Sequence, residues 1–152
     1  MKTNLEWGIS TWHLLHYIGE NIDSDFYNKE KYNIVNMVKT ICYNLPCPDC
    51  AEHAKYYLKN INVNTLDTLE KYRILFFNFF NLVNKNIDKE PFDFTNLKKY
   101  KTYKLDAILN NFSIFYGKRY NVGLQLSLES NEMHRKNIVK KVLTWFKNNF
   151  CK

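Results

Sequence analysis

From Trp7 to Phe150 the apolar residues of this chain return every three or four positions, the spacing that lines one face of a helix. Trp12, Leu15, Ile18 and Ile22 form the first stripe, flanked by Trp7, Leu14 and His16. Asp23 to Asn28 reads as a connection, and Ile34, Val35, Val38, Ile41 and Cys42 form a second stripe that ends near Asn44-Leu45-Pro46. A third segment runs from Cys47 to about Asn60 with Tyr57, Leu58 and Ile61 as its apolar contacts. After a turn at Asn62-Val63-Asn64, capped by Asn64 or Thr65, a fourth carries Leu66, Leu69, Ile74, Phe76, Phe77, Phe80, Val83 and Ile87. These are apolar on several sides, so that helix is expected to be deeply buried. Pro91 closes it. A further helix is expected from a cap at Thr95 through Leu97, Leu105, Ile108, Leu109 and Phe112 to about Tyr116. The last runs from about Glu129 to Phe150 with Ile138, Val142, Trp145 and Phe146 inward. Only Tyr120, Val122, Leu124 and Leu126 alternate, which leaves 117–123 open between a short strand and a connector. The fold class is all-α.

A chain of 152 residues that is 45% hydrophobic can bury one core, and no linker, repeat or low-complexity block divides it. No apolar run approaches the roughly 20 residues that span a bilayer. The N-terminus lacks a charged-then-apolar signal pattern. The expectation is a protein without a transmembrane segment, not secreted, in the cytoplasm. The net charge of +7 comes from lysines that are scattered apart from Lys98-Lys99-Tyr100-Lys101 and the Lys136 to Lys147 region. Solvated helix faces account for that, and no specific nucleic-acid partner is expected.

Four cysteines are too few for a secreted disulfide scaffold of this length. Two of them stand in Leu45-Pro46-Cys47-Pro48-Asp49-Cys50-Ala51-Glu52-His53, three residues apart and able to close reversibly. Pro46 and Pro48 belong at a helix start, because proline is pre-set for the first turn and breaks later ones. A thiol there faces unpaired N–H groups and the positive end of the helix dipole, which favours its thiolate. That points to a redox pair. The rival is zinc, held by Cys47, Cys50 and His53 with Cys42 or His16, but a structural site brings two well-spaced pairs and the second is missing. Cys42 reads as a small core hydrophobe and Cys151 as a tail residue, with electron relay or a dimer cross-link as its other readings. His13 and His134 read as surface residues.

Three separated motifs carry a resemblance. They are Trp7-Gly8-x-x-Thr11-Trp12-x-x-Leu15-His16, Cys47-x-x-Cys50-x-x-His53, and Phe80-Asn81-Leu82-Val83-Asn84-Lys85 followed by Lys89-x-Pro91-Phe92-Asp93. In that order they resemble the Erv/ALR family of FAD-linked sulfhydryl oxidases, most closely its compact members encoded by large DNA viruses such as poxviruses and African swine fever virus. The resemblance covers about residues 5–95. It implies a four-helix flavin-binding bundle over 1–95, with 96–152 as an added C-terminal helical extension packed on that core. It also implies that Gly8, Thr11, Trp12, His16, Cys50, His53, Asn81, Asn84 and Lys85 line the FAD site. A flavin is a flat apolar ring on a charged tail, so aromatic faces and a few placed polar groups suit it, and Lys85 suits a phosphate.

The resemblance implies a division between the cysteines. Cys47 would exchange with a client thiol, Cys50 would pass electrons to the flavin, and dioxygen would leave as hydrogen peroxide. It further implies a thiol-containing client or a thioredoxin-like relay, location in the host-cell cytoplasm or the virion, and a homodimer, to which Tyr17, Ile22, Tyr32 and Val35 could contribute. The chain departs from the family at Phe80, where members usually carry histidine, at Phe94, where many carry cysteine, and in having no second cysteine pair as a shuttle. Those departures keep a second class of function in view, a helical partner-binding scaffold without catalysis.

Overall fold

Asp23 sets the first corner. Its side chain accepts a hydrogen bond from Phe26 N at 2.7 Å and caps α2 (Ser24–Tyr43) directly after α1 (Glu6–Asn21). The expected Asp23–Asn28 connection is therefore mostly helix, because an aspartate cap starts the next helix at once. The computed structural model describes residues 6–86, 90, 92–120 and 125–150, the side chains of Asn86 and of 125–130 excepted. Cys151 and Pro91 lie outside the described residues.

Cys47 is the N-cap of α3 (Pro48–Leu58), with Pro48 at the first helical position. The fourth helix begins later than its apolar pattern suggests. Asn62 Oδ1 accepts from Asn64 N at 2.8 Å and Thr65 N at 3.2 Å and holds a turn. Thr68 Oγ1 accepts from Lys71 N at 3.2 Å at the start of α4 (Leu69–Asn86), so neither Asn64 nor Thr65 caps it. Leu66 is buried from the turn rather than from the helix. Nor is α4 buried all round, since Ile74 and Leu82 stay 45% and 41% exposed.

The single helix expected from Thr95 to Tyr116 is two elements. Asp93 accepts from Thr95 N at 3.1 Å and caps a 3-10 helix (Phe94–Lys101), and after 102–104 α5 (Leu105–Tyr116) follows. The final helix, α6 (Gln125–Phe150), starts four residues before the expected Glu129. No strand occurs among the described residues, and of the ambiguous 117–123 only 117–120 are described.

α1 packs against α4, the 3-10 helix and α5, while α2 packs against α3, α4 and α6. Leu14, Ile18, Ile34, Val38, Ile41, Phe76, Phe112 and Phe146 fill the space between them and are fully or almost fully buried. Three buried tyrosines spend their hydroxyls on carbonyls of other segments: Tyr27 on Leu66 O at 2.6 Å, Tyr72 on Leu15 O at 3.0 Å and Tyr116 on Ile41 O at 2.9 Å. Each ring thus buries a large apolar body without orphaning its polar tip. Of the four residues expected to serve a dimer, Tyr17, Ile22 and Val35 are buried in the chain's own core and Tyr32 is exposed.

Candidate functional site

Cys47 and Cys50 are joined in a disulfide with their Cα atoms 5.2 Å apart. Cys50 N donates to Cys47 Sγ at 3.2 Å, so the first turn of α3 is closed by the sulfur itself. The two sulfurs sit in different surroundings. Cys47 is half-buried at the surface, whereas Cys50 is 5% exposed and forms part of a cavity wall.

That cavity has a volume of about 360 Å³. α1 contributes Trp7, Gly8, Thr11, Trp12 and Leu15, α2 and the loop after it contribute Cys42 and Leu45, and α3 contributes Cys50, His53, Tyr56 and Tyr57. Phe79, Leu82 and Val83 of α4 close it. The wall is overwhelmingly apolar. The Thr11 hydroxyl already donates to Trp7 O at 2.7 Å, and Gly8 offers only backbone. Tyr57 lies parallel to Phe79 at 4.6 Å, which makes a flat aromatic side to the space.

A second cavity of about 370 Å³ shares Trp12 with the first. Its wall combines the rings of Trp12, His13, Phe80, Phe92 and Tyr100 with Asn84, Asn96, Asp93, Glu90 and Lys99. Trp12 therefore borders both an apolar chamber lined by Cys50 and a chamber of mixed rings, amides and charge. His16 lies behind it, 4% exposed, 5.7 Å from Trp12 in a stacked arrangement and parallel to Phe92 at 6.2 Å. Its Nε2 is buried without a hydrogen-bond partner. Burial above all, with the positive potential of His13 and Lys99, depresses its pKa to about 3, so the ring is neutral at any ordinary pH.

The structure thus brings together most of the expected site residues. Gly8, Thr11, Trp12, Cys50 and His53 line the first cavity, Asn84 lines the second at 4% exposure, and His16 backs the wall between them. Two residues are placed otherwise. Lys85 is exposed and lines neither cavity. The Asn81 carboxamide is spent on the backbone of Phe92, donating to Phe92 O at 3.2 Å and accepting from Phe92 N at 2.7 Å. His13 is half-buried rather than free at the surface. It packs edge-on against Tyr100 and Tyr103 at 5.5 and 5.6 Å and helps line the second cavity, its pKa lowered by burial and by Lys99. Phe80 keeps an aromatic role, 4.9 Å from Trp12 and 5.0 Å from His16.

Cys42 is buried and also lines the first cavity, and burial pushes its thiol up to about 12, which keeps it protonated and inert. Among the described residues no three His, Cys, Asp or Glu side chains come together as a metal site would need, so the zinc arrangement is not assembled. Tyr56, Tyr57, Asn96, Lys99 and Tyr100 also line the cavities and are not among the site residues that the motifs point to. Nothing in the local spacing of α3 or of the 3-10 helix distinguishes them from packing or surface residues.

The two chambers fit the dinucleotide that the motifs imply. An apolar slot lies beside a buried sulfur, and an aromatic, polar and cationic slot lies next door, with one unpartnered buried nitrogen close to it. A family model described as the Erv1 / Alr family matches residues 9–117. An FAD-linked sulfhydryl oxidase of African swine fever virus (Tick/Malawi isolate) is 33% identical over 124 residues, which is 82% of this chain and 99% of that protein. Its counterpart in the Pig/Kenya isolate is 32% identical over the same shares. A putative FAD-linked sulfhydryl oxidase of Invertebrate iridescent virus 3 is 27% identical over 84 residues, 55% of this chain and 57% of that protein. No solved structure matches the chain significantly.

Proposed function

The chain belongs to the Erv1/Alr family and is an FAD-linked thiol oxidase, and from that premise we propose a division of labour within its site. Cys47 is the exchange sulfur and Cys50 the sulfur that faces the cofactor. The observation that carries this is their unequal burial, Cys47 open to the surface and Cys50 on the wall of the apolar cavity.

A client thiolate attacks Cys47 Sγ, the Cys47–Cys50 bond breaks, and Cys50 leaves as a thiolate into the cavity. A second client thiolate then attacks the client sulfur of the mixed disulfide and releases Cys47. The client gains one disulfide, and the enzyme holds two thiols, two electrons and two protons more than before. FAD, when bound, would supply the two-electron oxidant that the reduced pair needs to close its disulfide again, with dioxygen as final acceptor and hydrogen peroxide as product. The residues around it bind and exclude. Trp12, Tyr57 and Phe79 offer flat faces to an isoalloxazine, Leu45, Leu82 and Val83 keep water away, and Gly8, Thr11 and His53 complete the wall. Asn84, with Lys99 and Tyr100, suits the nucleotide end, and Trp12 serves both chambers. The Cys50 thiolate is held where its neighbours are apolar, and the amide of Cys50 donates to the Cys47 sulfur.

A thiol-bearing client or thioredoxin-like relay, dioxygen as acceptor, a cytoplasmic or virion setting, a homodimer and the expected split of the fold at residue 95 belong to the same proposal. Among the described residues no helix is long and apolar enough to cross a membrane. Of the four residues named for a dimer built on α1 and α2, Tyr32 alone is exposed in the single chain, since Tyr17, Ile22 and Val35 are buried.

The test is a visible spectrum of the purified protein followed by oxygen uptake with a dithiol. The expected result is one oxidised flavin per chain and uptake that Cys50→Ser abolishes while flavin stays bound. Normal turnover by that variant would overturn the assignment, and a colourless chain that refuses added FAD would favour a non-catalytic scaffold.

A further inference from the structure

Asn81 was expected to touch the cofactor, yet both ends of its carboxamide are occupied by one residue eleven positions away. Nδ2 donates to Phe92 O at 3.2 Å and Phe92 N donates to Oδ1 at 2.7 Å. The reciprocal pair fixes the orientation of the amide, because turning it over would set donor against donor. We propose that Asn81 is a positioning residue that acts through Phe92, clamping its backbone so that its ring stands as a wall of the second cavity. The inference rests on the reading that this cavity takes the nucleotide end of FAD.

Phe92 lies outside α4 and before the 3-10 helix, in a stretch with no helical ladder of its own to hold it. What holds the ring is what it touches. It is parallel to His16, with 7° between the planes, edge-on to Phe80 at 5.4 Å, and covered by the Lys99 ammonium at 5.1 Å. Phe80, Phe92 and Lys99 all line the second cavity, whereas Asn81 does not. Loss of the clamp therefore frees one wall of the nucleotide chamber while leaving the apolar chamber beside Cys50 untouched, since neither Asn81 nor Phe92 lines that space. The partially buried hydrogen bonds are worth most where their loss would leave a backbone amide unpaired.

Binding of two flavins separates this role from a structural one. FMN carries the isoalloxazine but not the adenylate, so it reports on the first cavity alone. Dissociation constants for FAD and FMN would be measured by flavin fluorescence on flavin-free protein, for the wild type, Asn81→Asp, Asn81→Ala, Phe92→Leu and the Asn81→Ala/Phe92→Leu pair. Thermal melting of the same samples would be recorded without flavin. Asn81→Asp keeps the shape and the acceptor but removes the donor. The expected result is FAD binding weakened about tenfold, roughly one lost hydrogen bond, with FMN binding and the melting midpoint little changed. The double variant should bind FAD about as well as the weaker single one, because both substitutions remove the same wall. An unchanged FAD-to-FMN ratio in the Asn81 variants, or a fall in both flavins together with the melting midpoint, overturns the inference. A wild type that binds FAD no better than FMN would instead sink the assignment of the second cavity itself, and the clamp's role with it.

Discussion

His16 Nε2 has lost its water without gaining a hydrogen-bond partner, and the burial of this ring has a measurable cost at low pH. Its ring is 4% exposed among Trp12, Phe80, Phe92 and Tyr100, and burial with the nearby His13 and Lys99 depresses its pKa from the ordinary 6.5 to about 3. Between those values the unfolded chain takes up a proton that the folded chain refuses. Stability contributed by neutral His16 is therefore complete above pH 6.5 and is lost as pH falls below it. At pH 5 the deficit is about 2 kcal/mol. Urea unfolding of flavin-free protein at pH 7 and pH 5 should show that loss, and His16→Phe should reduce the drop by about the same amount; an equal drop in both would mean that His16 is hydrated in solution. The position of His16 was legible, because Trp12 and His16 stand four apart on one helical face. The task of Asn81 was not, since a motif records which residue is required and not whether its amide meets a ligand or a backbone.

Helix ends were the least legible elements, and the reason is chemical. Apolar spacing reports which side of a segment is buried, but a single polar side chain decides where it starts. Asp23, Thr68 and Asp93 each accept a hydrogen bond from a backbone N–H two or three residues on, and each moved a boundary away from where the apolar pattern placed it. The end of α5 is a more consequential case. Arg135 of α6 is 1% exposed and donates to Tyr116 O at 2.8 Å and Lys118 O at 2.9 Å, taking up the last carbonyl of α5 and one of the segment after it. An arginine nineteen residues downstream gives no hint of this in sequence, where it reads as one more cation of a basic helix. Arg135→Ala should cost about 2–4 kcal/mol in urea unfolding, because it orphans two carbonyls and opens a large space under α6. Arg135 lines neither cavity, so FAD affinity of the folded variant should stay within twofold of wild type. A variant of unaltered stability would mean that water serves those carbonyls equally well.

Across the whole molecule, the direction in which α6 is laid down limits the reach of the chain that follows Phe150. The redox pair and the helices that frame it could be read from three motifs, but nothing in the apolar stripe of α6 says which end of α2 it runs towards. The contacts do. Phe150 and Trp145 pack against Phe26 at the start of α2, with ring centroids 5.9 and 6.1 Å apart. Cys47 follows the other end of that helix, and the 20 residues of α2 span about 30 Å. Cys151 is joined to Phe150, and one residue adds at most about 4 Å of reach. A cis relay from Cys151 to Cys47 would thus need the last turns of α6 to leave the core, withdrawing Phe146, which is fully buried. Exposing a phenylalanine of that kind costs about 3 kcal/mol, which makes the released state rarer than one in a hundred. Turnover by such a route would be slow, and direct attack of a client thiolate on half-buried Cys47 would outrun it. Cys151→Ser should therefore leave kcat and KM for a small dithiol unchanged, measured by oxygen uptake. A loss of more than threefold would require Cys151 to work from a second copy of the chain, and mixing Cys151→Ser with Cys47→Ser protein would then give more activity than the sum of the two measured separately.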